Sequence, residues 1–196
     1  YSRIENSRHL TGRDVAYEIL NQHGLSDVQI YEVKGHLSDH YNPSNLTLNL
    51  SSEIYHGTSI ASLAVAAHEC GHALQHQEGY KPLTFRNMIV PVCNISQTIG
   101  WVAILLGLFI GKSSISWLGV LLMSLMLLFQ IVTLPVEFDA SSRALSILND
   151  RYLTEDEYPG AKKMLTAAAL TYVAAMLSTL LSLLRIVLMV MSRDRD

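Results

Sequence analysis

Charge is scarce in this chain. Asp, Glu, Lys and Arg make up 16% of its 196 residues, where a soluble domain carries about 25%. The shortage is concentrated: between Asn87 and Val136 the sole charged residue is Lys112. A water-exposed domain this small has too little mass to cover such a stretch, which argues against a buried soluble hairpin. The net charge is −3, and no basic run or basic–aromatic interleaving points to nucleic acid as a partner. Cysteine is equally sparse. Cys70 and Cys93 form neither a disulfide framework nor a Zn–Cys spacing, and read as buried thiols. Histidine is absent beyond His76, so groups suited to chemistry crowd into the first part of the chain. Repeats and low-complexity tracts are lacking. The sequons at Asn45, Asn49 and Asn94 matter only in a eukaryotic secretory protein, for which nothing else argues.

What is present centres on Val65-Ala66-Ala67-His68-Glu69-Cys70-Gly71-His72-Ala73-Leu74-Gln75-His76. On a helix, His68 and His72 stand one turn apart on one face, where two imidazole nitrogens can chelate one Zn²⁺. Glu69 is turned about 100° round the axis and can reach a water at the metal without being a ligand. This is the HExxH pattern. The alternative is a buried helix with two hydrogen-bonded histidines. The context favours the motif: helix formers lead in from Ser59, and Gly79 and Pro82 end the run.

Ahead of it, Thr11 and Asp14 read as a helix start, and the apolar face Val15, Ala16, Ile19 and Leu20 ends at Gly24. Val28–Val33 and Leu46–Leu50 alternate like half-buried strands, with turn chemistry over Ser38–Asn45 between them. His36, Asp39 and His40 repeat no ligand spacing, and read as a polar loop rather than a second metal site.

Beyond it, Met88–Gly111 and Ile115–Pro135 are each near the roughly 20 residues that cross a bilayer. Gly111-Lys112-Ser113-Ser114 joins them as a hairpin, with Trp101 and Trp117 as interfacial candidates. Pro91, Asn94, Ser96, Gln97 and Thr98 weaken the first stretch and must face protein or the interface. A third run, Met164–Met191, spans about 42 Å. It either tilts or packs its Ala-rich start (Ala167, Ala168, Ala169) under the catalytic part, while Arg185 snorkels or pairs.

The hairpin returns the chain to Leu134-Pro135-Val136-Glu137-Phe138-Asp139, where Pro135 is expected to open a helix with Glu137 on its first turn. A hairpin leaves and re-enters on one side, so topology brings Glu137 back to the histidine face. The His₂Glu class of zinc sites takes its third ligand from a later helix. Glu137 is therefore the expected third ligand, ahead of Glu53, Glu78, Glu155 and Glu157. The expected fold is a mainly α integral-membrane protein: a zincin-like HExxH helix, a small β element and about three membrane helices. Its parts are residues 1–87 (catalytic), 88–136 (transmembrane hairpin), 137–163 (third-ligand helix and connection) and 164–196 (C-terminal membrane helix).

Leu10-Thr11-Gly12, Asp39-His40-Tyr41-Asn42-Pro43, Val65–Gln77, Gly79-Tyr80, Arg86-Asn87 and Leu134–Ala144 together resemble the YugP-type zinc metallopeptidases of bacterial membranes. The resemblance covers nearly the whole chain. More distantly it is similar to HtpX-type and CAAX-prenyl-processing proteases, in which a helix beginning Glu-Phe supplies a zinc-binding Glu. Those relatives place an Asp four residues after that Glu; here the position is Ser141. Asp139, at +2, is about 200° from the ligand face and is not expected to support the histidines. YugP-type proteins also carry an additional N-terminal membrane helix, so a truncated chain is expected.

These readings imply a membrane zinc endopeptidase with one Zn²⁺ on His68, His72 and Glu137, and Glu69 as general base. Arg143, Tyr172 and His76 are candidates for stabilising the oxyanion. A closed structural zinc site and a processing protease for lipidated peptides are the competing readings. The expected partners are a peptide or unfolded protein, paired against Leu46–Leu50 as an edge strand, and the lipid bilayer. Lys81, Arg86, Arg143, Arg151, Lys162 and Lys163 on the motif's side outnumber Lys112, Arg193 and Arg195 opposite. Lys and Arg counts set topology, so the expected location is a bacterial inner membrane with the active site facing the cytoplasm.

Overall fold

The computed structural model describes residues 4–193; Arg195 of the charge comparison lies outside them. The protein is mainly helical, and it divides into two units. One takes Tyr1–Tyr80 with Val136–Ala169, the other Lys81–Pro135 with Leu170–Asp196.

In the first unit, helix α1 (Gly12–Gln22) starts where the sequence predicts. Thr11 accepts the Asp14 N–H and the Asp14 carboxylate accepts the Thr11 N–H, at 3.1 Å each, closing a capping box. Three strands follow: β1 (Gln29–Val33), β2 (His40–Asn42) and β3 (Thr47–Ser51). The order is β1-β3-β2, with β1 parallel and β2 antiparallel to β3. Leu46–Leu50 is thus not an edge: β3 is the central strand, with Leu48 and Leu50 fully buried. The turn-like segment before it supplies the missing neighbour. A three-residue strand shows no alternation in sequence; β2 is held in place because the Asp39 carboxylate accepts the Ser51 N–H at 2.7 Å and its hydroxyl at 3.0 Å.

A short helix α2 (Ser52–His56) leads to α3 (Ile60–Gln77), the HExxH helix. Ser59 caps α3 by accepting the Ser62 N–H at 3.0 Å. The core of this unit gathers Ile19 of α1, Leu48 and Leu50 of β3, and Leu63, Ala67 and Cys70 of α3. The later chain joins it through Leu148, Tyr152, Ala161 and Leu165.

Helices α4 (Lys81–Ile110), α5 (Ser113–Arg151) and α6 (Tyr158–Arg193) are each long and apolar enough to cross a membrane. The sequence predicts a helix opening at Pro135; α5 instead runs unbroken through it. Proline withholds one backbone donor, a loss that membrane helices absorb through neighbouring helices and hydroxyl side chains. Of the Ala-rich start of the third run, Ala169 is buried while Ala167 and Ala168 are exposed.

In the second unit, α4 and α5 pack through small residues. A Cβ on Gly119 would stand 2.6 Å from the Gly100 carbonyl oxygen, and one on Gly107 would collide with the Ser116 hydroxyl. Such approaches give helices in lipid the van der Waals contact that hydrophobicity cannot supply there. Outward lie Phe109, Leu105, Leu121 and Leu181, 61–91% exposed, a surface suited to hydrocarbon.

Candidate metal centre

His68 and His72 project from one face of α3, their rings edge-on with centroids 4.8 Å apart. Opposite them α5 presents Glu137, 2% exposed. His68 Nε2 stands 3.3 Å and His72 Nε2 3.8 Å from Glu137 Oε2. One ligand atom from each residue lies within 4.8 Å of the other two. Among the described residues this is the only group of three or more metal-ligating side chains so gathered.

Close helix packing makes this possible. A Cβ on Gly71, between the two histidines, would stand 2.7 Å from the Ala140 carbonyl oxygen. Val136, Ala140, Ala144 and Leu148 form the fully buried stripe of α5, at helical i+4 spacing. Glu137 follows Val136, one step round from that stripe, and so reaches the histidines.

The outer ring nitrogens are engaged as well. His68 Nδ1 is 3.2 Å from the Ser141 hydroxyl, and His72 Nδ1 3.0 Å from Gln75 Oε1. Gln75 Nε2 in turn donates to the Val136 carbonyl and to Asp139 Oδ2, both at 2.8 Å. Arg143 Nε donates to Asp139 Oδ2 at 2.7 Å, and its Nη1 reaches Glu78 Oε1 at 2.8 Å. Burial opposes charge on His72, but the Glu137 and Glu69 carboxylates outweigh it and hold the imidazole above its ordinary pKa. Burial, and then Glu69, push the Cys70 thiol far up, which leaves it unreactive. Two imidazole Nε2 atoms and one carboxylate oxygen, converging with their outer nitrogens bonded, make a donor set that fits zinc.

Glu69 is a near neighbour rather than a member of the triad. It is buried, and its Oε2 accepts the Tyr41 N–H of β2 at 3.0 Å. The Tyr41 hydroxyl meets His76 Nδ1 at 2.9 Å.

The chain matches the model of a family described as "Putative neutral zinc metallopeptidase" over residues 1–191. It is also 45% identical to the "Putative membrane protease YugP" of Bacillus subtilis (strain 168), over 100% of this chain and 87% of that protein. The chain belongs to this family. No solved structure matches it. Family membership carries the zinc metallopeptidase class, and with three long apolar helices it makes this a membrane protein.

The other residues raised by the sequence are engaged elsewhere. Of the alternative third ligands, Glu78 pairs with Arg143, Glu157 caps Thr154 and Ser7, and Glu53 faces His36 on the surface. Asp39 is bound to Ser51, and His40 Nδ1 donates to the Ser38 carbonyl, so with His36 they form no second metal cluster. Among the oxyanion candidates, Arg143 is tied between two carboxylates and His76 to Tyr41. Tyr172 falls in the second unit. Asp139 touches neither histidine but reaches His72 through Gln75, a link hidden from any count of angles on α5 alone. The signal for Gln75 was its place three residues after His72, on the same helical face. Tyr41 had no such local signal.

Proposed function

We propose that the protein is a membrane-embedded zinc-dependent endopeptidase of the gluzincin kind, with His68, His72 and Glu137 as the metal ligands and Glu69 as the base. Zinc at such a site supplies a Lewis acid that acidifies a bound water and polarises a peptide carbonyl. Glu69 takes a proton from the attacking water and passes it to the departing amine, so that water is divided between the two new ends. The Tyr41 N–H steadies the Glu69 carboxylate meanwhile. Gln75 and Ser141 hold the two imidazoles in place.

The observation that carries this reading is the convergence of both Nε2 atoms on Glu137 Oε2 beside a carboxylate that is not a ligand. A closed structural site has no use for Glu69 in that position. β2 is an edge strand of the sheet beside α3, and its Tyr41 N–H is taken by Glu69, which leaves the carbonyls of β2 to receive a substrate's backbone. An extended substrate paired there through its backbone would be bound with little sequence demand, which suits removal of unfolded membrane proteins. One zinc per chain, a bacterial inner membrane and a cytoplasmic active site complete the proposal.

Glu69→Gln should retain zinc and lose peptide hydrolysis, by roughly 10²-fold or more. His68→Ala and Glu137→Ala should lose zinc as well. Metal analysis beside cleavage of an unfolded substrate such as casein checks both. Hydrolysis by Glu69→Gln at the parent rate would sink the mechanism.

A further inference from the structure

Gln75 is fully buried, yet it is a polar side chain with three polar neighbours. Its amide has two ends that are not interchangeable: the oxygen only accepts and the nitrogen only donates. The Val136 carbonyl and the Asp139 carboxylate, both 2.8 Å from Nε2, are acceptors. Turning the amide over would set its oxygen against two acceptors in a buried site, at the cost of unsatisfied polar groups. The orientation is therefore dictated by α5. The Gln75 oxygen must then face His72 Nδ1, 3.0 Å away, and only an Nδ1–H can satisfy it. In the neutral ring, the form that binds a metal, a proton on Nδ1 leaves the lone pair on Nε2, the atom turned towards Glu137.

The histidine one turn earlier has no such constraint. Its Nδ1 meets the Ser141 hydroxyl, which donates or accepts equally well. Asp139 is itself held by Arg143 Nε at 2.7 Å, and Arg143 by Glu78 Oε1 at 2.8 Å. The chain of contacts thus begins on α3, passes through α5 and returns to Glu78, the residue that caps α3.

We propose that Gln75 is a positioning residue that sets which nitrogen of His72 is offered to the metal, and that it takes this instruction from α5, the helix that carries Glu137. The inference rests on the zinc site proposed above. It makes the docking of α5 do two things together: bring in the third ligand and fix the tautomer of the second. Asp139 contributes through Gln75 alone.

The test uses the full chain in detergent, with zinc affinity read by competition with a chelator. Gln75→Met keeps length and burial but removes both ends of the amide. It should weaken zinc binding roughly 10–100-fold, the usual effect of losing a partner of a ligating histidine. In zinc-loaded protein labelled with ¹⁵N-histidine, the parent should show a His72 Nδ1–H protected from exchange, and Gln75→Met should lose that protection. Asp139→Ala, at a partly exposed position, should weaken zinc less, and should have no effect in the Gln75→Met background. Unchanged affinity in Gln75→Met, or an Nδ1–H still protected there, overturns the proposal. If that variant does not fold, the parent spectrum decides, and a zinc-loaded His72 with no protected Nδ1–H overturns it. A parent chain that binds no zinc removes the site reading and this proposal together; equal affinities in parent and variant remove this proposal alone.

Discussion

Glu157 shows how much one carboxylate can tie together. Its Oε1 accepts the Ser7 N–H at 2.6 Å and its Oε2 accepts the Thr154 N–H at 2.8 Å. The N-terminal segment is thereby pinned to the turn that opens α6. Burial works against its charge, but these backbone donors prevail and hold its pKa below the ordinary carboxylate value. A lowered folded pKa means stability that is present above the unfolded pKa and lost as pH falls through the folded one. Glu157→Gln should therefore destabilise the protein by about 1–2 kcal/mol near neutral pH, since hydrogen bonds to charged groups are the stronger ones. The difference from the parent should shrink as pH falls below the ordinary carboxylate range and through the lowered pKa of the folded parent. Thermal melts of both proteins across pH 3–8 check this; a gap that does not change with pH would remove the carboxylate's charge from the explanation.

The element that decides the site is α5. Its stripe of small and aliphatic residues lets it close on α3 at Gly71, where a Cβ would stand 2.7 Å from the Ala140 carbonyl oxygen. Backbone cannot step aside as a side chain can, so Gly71→Ala should force α5 outward and cost about 1–3 kcal/mol. Glu137 moves with its helix, and zinc affinity should fall in the same variant. Ala140→Gly should not rescue either loss, because the contact is with the Ala140 carbonyl and not its methyl. Melting temperature and chelator competition on the three proteins give the answer. Rescue by Ala140→Gly would show that side-chain crowding, not backbone approach, governs the packing.

For the whole molecule the open question is which side of the membrane the triad faces. We propose the cytoplasm, from the excess of Lys and Arg flanking the spans on the motif's side. A cysteine introduced beside Lys162 should resist a membrane-impermeant thiol reagent in intact cells, and one beside Lys112 should react. The native thiols Cys70 and Cys93 are both buried, so their background should be low. The opposite labelling pattern would place the site outside and change the pool of proteins within its reach.

The sequence by itself determined what depends on local period and on length. Two histidines four apart share a face because a helix has 3.6 residues per turn. Three runs are long enough for a bilayer because rise per residue is constant. The return of Glu137 was legible too, since a hairpin has to come back to the side it left. Tertiary structure decided everything that depended on which side chains meet across elements. Periodicity at Leu46–Leu50 marked a strand but carried no information about its neighbours, and β2 made it central. Pro135 suggested a helix start by its missing donor, yet the helix ran on through it. Gln75 looked like any polar residue of α3. Only its burial against Val136 and Asp139 turned an amide that could point either way into one with a single orientation, because hydrogen-bond direction becomes binding once water is gone.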